Sequence, residues 1–332
     1  MVETTSENQV APRRRKRHRS RLRKLLSRNL QYALLRLFHG VLSRLPLTVG
    51  RWLAAAVGTA CSFCLRRERA IALVNLSRAF GDSKSPAELR LMARRVFRST
   101  VTTFVEWIII RRWTRERIER TFGYLREDLQ GLGTDVGSQP VGTIGFSAHF
   151  GNWELLLMLY SFFNPDGLVG LAKPSKSPKI RDFLKELRCV HTVDMVYTDE
   201  SPRKLVRALR QKKLLGFLAD QDIRNNRGIF VEFFGRPTHT VTFPAALGRK
   251  VGAPMVLCLL VREGKKFRVI RTPLEPVQKT EDEDADLEVA TQWWTSELEK
   301  AIRGAPEQWL WFYPRWRTQP GKLRQRASGG PK

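Results

Sequence analysis

The amino-acid sequence predicts an α/β protein with a mixed central sheet flanked by helices and an N-terminal amphipathic helical hairpin. Its 332 residues, of which 42% are hydrophobic, are enough to bury a substantial core. After about residue 140, short apolar runs alternate with segments of helical periodicity, which is the pattern of a sheet with helices on its faces. A turn at Glu263-Gly264-Lys265 joins two further runs and predicts an antiparallel hairpin at one edge of the sheet.

The distribution of charge and apolar residues divides the chain into four regions. We predict a basic, disordered tail over residues 1–28 and a membrane-associating helical segment over 29–66. The α/β domain is predicted to cover 67–320, and residues 321–332 form a second disordered tail.

The helical segment contains two apolar stretches, 32–45 and 47–65, which Pro46 separates. Apolar residues in the first stretch recur at helical spacing with arginines between them, which predicts a cationic amphipathic helix. Such a helix behind a polybasic tail suits the interface of an anionic membrane. Two alternatives stay open: a hairpin packed on the core, and a single span through Trp52 to Leu65.

Start, stop and turn residues give the approximate bounds of the elements in the α/β domain. A helical region is predicted around Pro86 to Ile110. The last helix, from about Asp284 to Ile302, begins in acidic residues and ends before Gly304 and Pro306. The predicted strands are 141–146, 168–172, 193–197, 214–219, 255–262 and 266–271, and the other predicted helices are 153–163, 179–187, 203–211 and 244–251.

The hexapeptide HFGNWE places a histidine and a glutamate five positions apart, at His149 and Glu154. On one continuous helix, five residues rotate by about 140°, so the two side chains would point away from each other. Gly151 and Asn152 provide a break, because glycine tolerates unusual backbone angles and asparagine is a strong N-cap. We therefore expect a helix to begin at Trp153, with His149 on the loop at the carboxyl end of a strand, where α/β folds place their chemistry.

Other kinds of site are not supported by the sequence. Ser147 lies in GFSAH, which lacks the final glycine of a nucleophile elbow. The hexapeptide has no second histidine at metal-ligand spacing, and Cys61 and Cys64 form a CxxC without a second pair, so no metal site is predicted. Neither a glycine-rich phosphate loop nor GxGxxG occurs, so no nucleotide cofactor is predicted.

The formal net charge of +27 is high, and most of the excess lies beyond the first 28 residues. A basic folded body attracts anionic partners. Charge alone leaves four classes open: nucleic acid, anionic lipid headgroups, a phosphorylated glycolipid and an acidic carrier protein.

Five motifs in order resemble those of the bacterial late lipid A acyltransferases, which add lauroyl or myristoyl chains and belong to the lysophospholipid acyltransferase-like superfamily. HFGNWE is similar to their HX4(D/E) motif. The other four are Asn75-Leu76-Ser77-Arg78-Ala79-Phe80, residues 216–222 (GFLADQD), residues 228–235 (GIFVEFFG), and residues 306–312 with Arg315-Trp316.

The resemblance implies a glycerolipid acyltransferase-like fold in which His149 is the general base on an acceptor hydroxyl and Glu154 holds its tautomer and orientation. Lys173, Asp220 and Asp222 are the implied substrate-binding residues. The implied donor is an acyl carrier protein thioester and the implied acceptor is an anionic lipid A precursor, at the cytoplasmic face of the inner membrane. Neither a cofactor nor a nucleic acid partner is implied.

Some features depart from the family pattern or stay open. Lys173-Pro174 stands where the family tends to have Arg-Pro, and lysine lacks the bidentate fork of arginine. The C-terminal tryptophans suit either a belt at a membrane interface or the edge of a core. Rival functions are acyl transfer to another glycolipid or a lysophospholipid, transfer from acyl-CoA, and non-enzymatic binding of nucleic acid or anionic membrane by the basic tail.

Overall fold

The computed structural model describes residues 29–134, 141–222, 228–274 and 279–320. The two predicted tails, 1–28 and 321–332, lie outside the described residues. The first helix, α1, covers residues 29–42. The helices that follow are α2 (Leu47–Cys64), α3 (Arg66–Phe80), α4 (Pro86–Ile110), α5 (Arg115–Phe122), α6 (Arg126–Thr134), α7 (Trp153–Phe163), α8 (Pro178–Arg188), α9 (Arg203–Arg210), α10 (Phe243–Val251) and α11 (Glu283–Gly304).

Six of the described strands form the central sheet and two form a separate antiparallel hairpin. The strands are β1 (Ile144–Ser147), β2 (Leu168–Ala172), β3 (Val193–Tyr197), β4 (Leu214–Leu218), β5 (Gly228–Phe233), β6 (Arg236–Val241), β7 (Met255–Glu263) and β8 (Lys266–Leu274). The sheet order is β3-β2-β4-β1-β7-β8, and β5 pairs with β6. All neighbours in the sheet are parallel except β7 and β8, so the predicted mixed sheet with an antiparallel edge is confirmed.

The alternation of side chains along β1 to β4 gives the sheet two buried faces. One face packs against α6 and α7, whose apolar residues include Leu129, Leu155 and Leu159. The opposite face packs against α3, α9, α10 and α11, where Trp294 stacks on Phe146 of β1 with ring centroids 5.4 Å apart. Because β1 lies in the middle of the sheet, the loop that follows it is surrounded by neighbouring strands and covered on both sides.

The two N-terminal helices pack on different parts of the molecule. Helix α1 contacts α8, where Arg36 donates two hydrogen bonds to Glu186. Helix α2 packs along α4, and Gly58 allows this close approach because an added Cβ would lie 2.6 Å from the Cα of Arg98. Helix α4 begins with a capping box between Ser85 and Glu88 and a proline in its first turn, which fixes its start.

The sequence did not predict the β5–β6 hairpin and left the burial of the C-terminal tryptophans open. Strand β5 and the turn after it lie within the GIFVEFFG motif, whose apolar residues do not alternate regularly with polar ones. Trp309, Trp311 and Trp316 are each at most 2% exposed. They pack as a core edge, so the alternative of a tryptophan belt at the membrane interface is wrong.

Candidate active site

The loop between β1 and α7 has the conformation that the hexapeptide predicts. Helix α7 begins at Trp153, and the side chain of Asn152 caps it by accepting a hydrogen bond from the backbone N–H of Leu155 at 3.1 Å. Gly151 has φ +61°, and a Cβ there would lie 2.0 Å from the carbonyl oxygen of Leu260. Glycine is therefore required at this position, both for the backbone angle and for the contact with β7.

The ring of His149 is held by Asp220, at the carboxyl end of the neighbouring strand β4. Its Nδ1 lies 2.8 Å from Asp220 Oδ1, and its backbone N–H donates to Oδ2 of the same carboxylate at 3.0 Å. Trp309 also donates to Oδ2 from its indole N–H, at 2.8 Å. Because a carboxylate can only accept, the geometry assigns the proton of neutral His149 to Nδ1 and leaves the Nε2 lone pair unprotonated.

The charges of this pair are coupled. Burial alone would lower the pKa of His149, but the charge of Asp220 and the hydrogen bond to it outweigh burial and raise the pKa above its ordinary value of 6.5. Burial likewise opposes ionisation of Asp220, yet the imidazole and the indole hold the pKa of this carboxyl below its ordinary value. The carboxylate is therefore ionised at neutral pH and favours the protonated form of His149.

Glu154 does not occupy the position beside His149 that the hexapeptide predicts. Its carboxylate accepts hydrogen bonds from Arg188 at the end of α8, with the guanidinium Nε 3.0 Å from Oε2. Glu154 lies in the first turn of α7 and its side chain is 4% exposed, so burial favours pairing with a cation. Its charge still contributes to the raised pKa of His149, after the larger effects of burial and of Asp220.

A buried ionic cluster lies beneath the cap of α7. Glu106 of α4 is fully buried and accepts a hydrogen bond from the side-chain amide of Asn152 at 3.0 Å. Arg51 of α2 and Arg262 of β7 also donate to this carboxylate, at 2.7 Å and 2.6 Å. The four side chains fix the cap residue against α2, α4 and β7, and three donors compensate the buried charge.

An apolar cavity of about 470 Å³ opens beside His149. Four polar lining residues lie at or just after the carboxyl ends of neighbouring strands, at Ser147, Lys173, Thr198 and Gln221, and Glu154 and Arg188 add a charged pair. Apolar side chains line the rest, including Leu132, Leu156, Leu157, Tyr160, Leu168, Met195, Leu214 and Cys258. Leu168 and Leu214 begin their strands, so the cavity lining extends along the whole of β4, about 13 Å, from its carboxyl end near His149 to its first residue.

Lys173 and Asp222, which the sequence places in the substrate site, have different environments. Lys173 lines the cavity that contains His149 and forms no ion pair with any residue the structure describes. The side chain of Asp222 is fully buried and accepts from Thr318, from the backbone N–H and the hydroxyl, both at 2.8 Å. Asp222 does not line this cavity and anchors the C-terminal segment, so its contact with substrate stays a prediction.

Three residues of the site were not predicted as such: Arg188, Trp309 and Glu106. A signal existed for the role of Asp220, because it ends the apolar run of β4 just as His149 follows β1, and parallel strands end at the same sheet edge. Arg188 and Glu106 lie in helices whose charges resemble an ordinary solvated face. Across the described residues, no group of three His, Cys, Asp or Glu side chains could hold a metal ion.

The fold and the site together define a class: an α/β enzyme with a histidine and carboxylate pair beside a long apolar cavity, as an acyltransferase requires. Residues 18–318 match the family described as bacterial lipid A biosynthesis acyltransferase, so the chain belongs to this family and is an acyltransferase.

Among its relatives, a lipid A biosynthesis lauroyltransferase of Escherichia coli (strain K12) is 26% identical over 281 residues, which cover 83% of this chain and 88% of the relative. A lipid A biosynthesis palmitoleoyltransferase of the same organism is 24% identical over 282 residues, with the same coverage. A lipid A biosynthesis acyltransferase of Shigella flexneri has the same identity and coverage as the palmitoleoyltransferase.

Proposed function

We propose that this acyltransferase moves a fatty acyl chain from an acyl carrier protein thioester to a hydroxyl group of a lipid A precursor. The observation that carries the proposal is the position of His149, whose Nδ1 is bound by Asp220 while the ring lines a cavity suited to an acyl chain. Family membership supports acyl transfer onto lipid A.

In the proposed reaction, Nε2 of His149 removes the proton from the acceptor hydroxyl as its oxygen attacks the thioester carbonyl. The tetrahedral intermediate then collapses, the carbon–sulfur bond breaks, and the leaving thiolate takes the proton from His149. Asp220 keeps the tautomer and stabilises the imidazolium that forms between the two steps, which replaces the role we first assigned to Glu154. No covalent acyl-enzyme is needed.

Two cations on the same cavity support the remaining parts of the mechanism. Arg188 is held by Glu154 and keeps a positive charge close to the reacting centre. Lys173 carries its charge at the carboxyl end of β2 without a described carboxylate partner, so it is available to an anionic group of the substrate or to the developing oxyanion.

The reaction itself is tested with purified protein, a lipid A precursor and a choice of donors. We expect one acyl chain to be added to the precursor when the donor is an acyl carrier protein thioester, and mass spectrometry of the product measures it. Acyl-CoA at the same concentration should react more slowly, because the acidic carrier is attracted to the basic surface. Equal rates with both donors, or transfer to a lysophospholipid alone, would contradict the proposed donor or acceptor.

The cavity predicts how donor chain length can be changed. Gly216 lies in the middle of β4, lines the cavity, and an added Cβ would meet its nearest atom only at 3.9 Å. Gly216→Val is therefore expected to fill cavity space without a clash and to shift preference toward shorter chains. Competition between donors of different length measures the shift, with Gly304→Val as the control, because Gly304 is exposed, lies outside the cavity and leaves open space for a side chain. An unchanged preference for donor chain length would show that the acyl chain does not pass Gly216.

We further propose that α1 and α2 attach the enzyme to the inner membrane from the cytoplasmic face. In the described residues, α2 is the one helix that is long and apolar enough to cross a membrane, and 22% of it is buried in the protein. Trp52 is 81% exposed. The other exposed apolar residues of the two helices are Leu30, Leu34, Leu37, Phe38, Val41, Val49, Leu53, Val57 and Phe63.

Trp52→Asp is expected to weaken binding to phospholipid vesicles by about tenfold or more, because a large apolar side chain leaves the lipid and a charge replaces it. Co-sedimentation at high salt measures this, since salt screens attraction of the basic tail to the headgroups. Val289→Asp, at an apolar residue of α11 that is 69% exposed, is the control. Similar binding of both variants would refute attachment through α2.

A further inference from the structure

A second cavity, of about 660 Å³, lies outside the acyl-chain cavity and away from His149. Helix α3 forms one wall, the first residues of β6 form another, and the segment 314–319 closes the third side. Its lining includes three arginines, Arg78, Arg236 and Arg317. Arg78 belongs to the NLSRAF motif, which the proposed mechanism does not use.

Backbone carbonyl groups hold two of these guanidinium groups in place. Arg78 donates to the carbonyl oxygen of Trp316 at 3.3 Å, and Arg236 donates to the carbonyl oxygen of Arg78 at 3.0 Å. Neither forms an ion pair with a carboxylate in the described parts of the chain. Arg317 forms an ion pair with Asp222 at 3.5 Å and donates to the backbone carbonyl of Asp222 and to the hydroxyl of Tyr313, while its buried Nε has no hydrogen-bond partner. The cavity therefore keeps the positive charges of Arg78 and Arg236, which no carboxylate in the described residues neutralises.

The rest of the lining is apolar. It consists of Ala70, Ile71, Val74, Pro237, Pro314 and Trp316, together with the polar Asn75 and Gln319. Val74 is 51% exposed, so the apolar surface continues from the cavity onto the outside of α3. Fixed guanidinium forks beside apolar surface suit a phosphate group on an amphipathic molecule, because arginine binds phosphate bidentately and the apolar wall accepts the attached lipid.

We propose that this cavity binds a phosphate group of the phosphorylated lipid acceptor and thereby positions the acceptor for acylation. The proposal rests on the proposed function. The location of the cavity supports the acceptor as the source of the phosphate, because the C-terminal segment that contains residues 309–317 borders both this cavity and the site around His149. Within that segment, Trp309 binds Asp220, the backbone N–H of Leu310 binds the carbonyl of His149, and Trp316 and Arg317 line the second cavity.

The first test is direct binding of a soluble probe, measured by calorimetry. Dihexanoylphosphatidic acid carries the phosphate, and dihexanoylglycerol is the same amphiphile without it. We expect R78Q/R236Q to lose about tenfold or more of the affinity for the phosphate probe, because two charge-assisted contacts are removed. The control R207Q/R210Q removes two exposed arginines of α9 that do not line the cavity, and it should bind within twofold of the parent protein. Equal affinity in all three proteins would overturn the proposal.

The second test distinguishes the acceptor from bilayer phospholipid as the source of the phosphate. With the phosphorylated acceptor, R78Q/R236Q should raise KM about tenfold and leave kcat within twofold. With the same acceptor after enzymatic dephosphorylation, the KM of R78Q/R236Q should equal the KM of the parent protein. An equal loss with both acceptors, accompanied by weaker vesicle binding, would assign the cavity to bilayer lipid and overturn the proposal.

Two controls keep these tests decisive. Thermal unfolding shows whether the glutamine variant folds, and R78K/R236K retains both charges while losing the bidentate forks. The lysine variant should still bind the phosphate probe more tightly than the uncharged one, and loss of this preference in a folded protein would contradict the proposal. If the parent protein transfers no acyl chain to any phosphorylated glycolipid, the proposed function fails, and calorimetry still decides whether the cavity binds phosphate.

Discussion

His149→Ala is expected to lower kcat for acyl transfer to a lipid A precursor by about 10²- to 10⁴-fold, because that is the usual contribution of a positioned general base. The side chain of His149 is 20% exposed and lines the cavity, so its loss removes the base without opening the core. Steady-state kinetics with a carrier thioester as donor measure the effect. The KM for the acceptor should change little, because the imidazole acts mainly in the transition state.

Two comparisons show whether His149 acts as proposed. The alanine variant should bind vesicles as the parent protein does, because α1 and α2 are unchanged. Deletion of residues 1–28, in contrast, should weaken attraction to anionic surfaces without removing the chemical step. If His149→Ala keeps full activity, another group removes the proton from the acceptor hydroxyl, and the mechanism proposed for His149 is wrong.

Asp220→Asn is expected to lower kcat by about 10²-fold or more, because the amide can stabilise the wrong tautomer of His149 and cannot stabilise the imidazolium. Glu154→Gln is the matched variant, since it also neutralises a buried carboxylate near the histidine. Its kcat should fall less, because the hydrogen bonds of Glu154 go to Arg188. It should lower the free energy of unfolding by roughly 3 kcal/mol, because Arg188 loses its partner. A larger loss of kcat in Glu154→Gln would restore Glu154 as the residue that orients His149.

The two variants also differ in pH dependence. In the proposed mechanism neutral His149 is the active form, so kcat/KM should fall as pH drops through its pKa, which Asp220 holds above the ordinary value. Asp220→Asn removes the charge and the hydrogen bond that raise this pKa, so the acidic limb of the profile should move to lower pH. Glu154→Gln should move it in the same direction by a smaller amount. A limb that stays in place in Asp220→Asn would mean that another group controls it.

Local sequence chemistry was enough to locate the catalytic loop and most of the sheet. Asn152 and Gly151 set the start of α7 at Trp153, because capping and a left-handed backbone angle depend on residues close in the chain. The bounds of β2 and β3 are those predicted from their apolar runs. The β5–β6 hairpin was missed because its faces are defined by packing against α11 and the C-terminal segment, which no local periodicity records.

The partner of His149 was assigned to the wrong carboxylate for a related reason. Glu154 is near in sequence, whereas Asp220 is brought close only because β4 lies beside β1 in the sheet. The sequence predicts the strands but not their order in the sheet. It therefore does not show which of the two carboxylates, Glu154 or Asp220, lies closer to the imidazole. The pairing of Glu154 with Arg188 likewise depends on where α8 packs against α7.

The hydrogen bonds from Trp309 and Leu310 have a consequence for the timing of synthesis. Trp309 binds a carboxylate 89 positions earlier in the chain, and Leu310 binds the catalytic loop itself. A nascent chain that has already formed β1 and β4 still lacks these contacts until residues 309 and 310 leave the ribosome. Because contacts between such distant residues form slowly, the site folds only after Trp309 and Leu310 are available, and a chain truncated before Trp309 is expected to be inert.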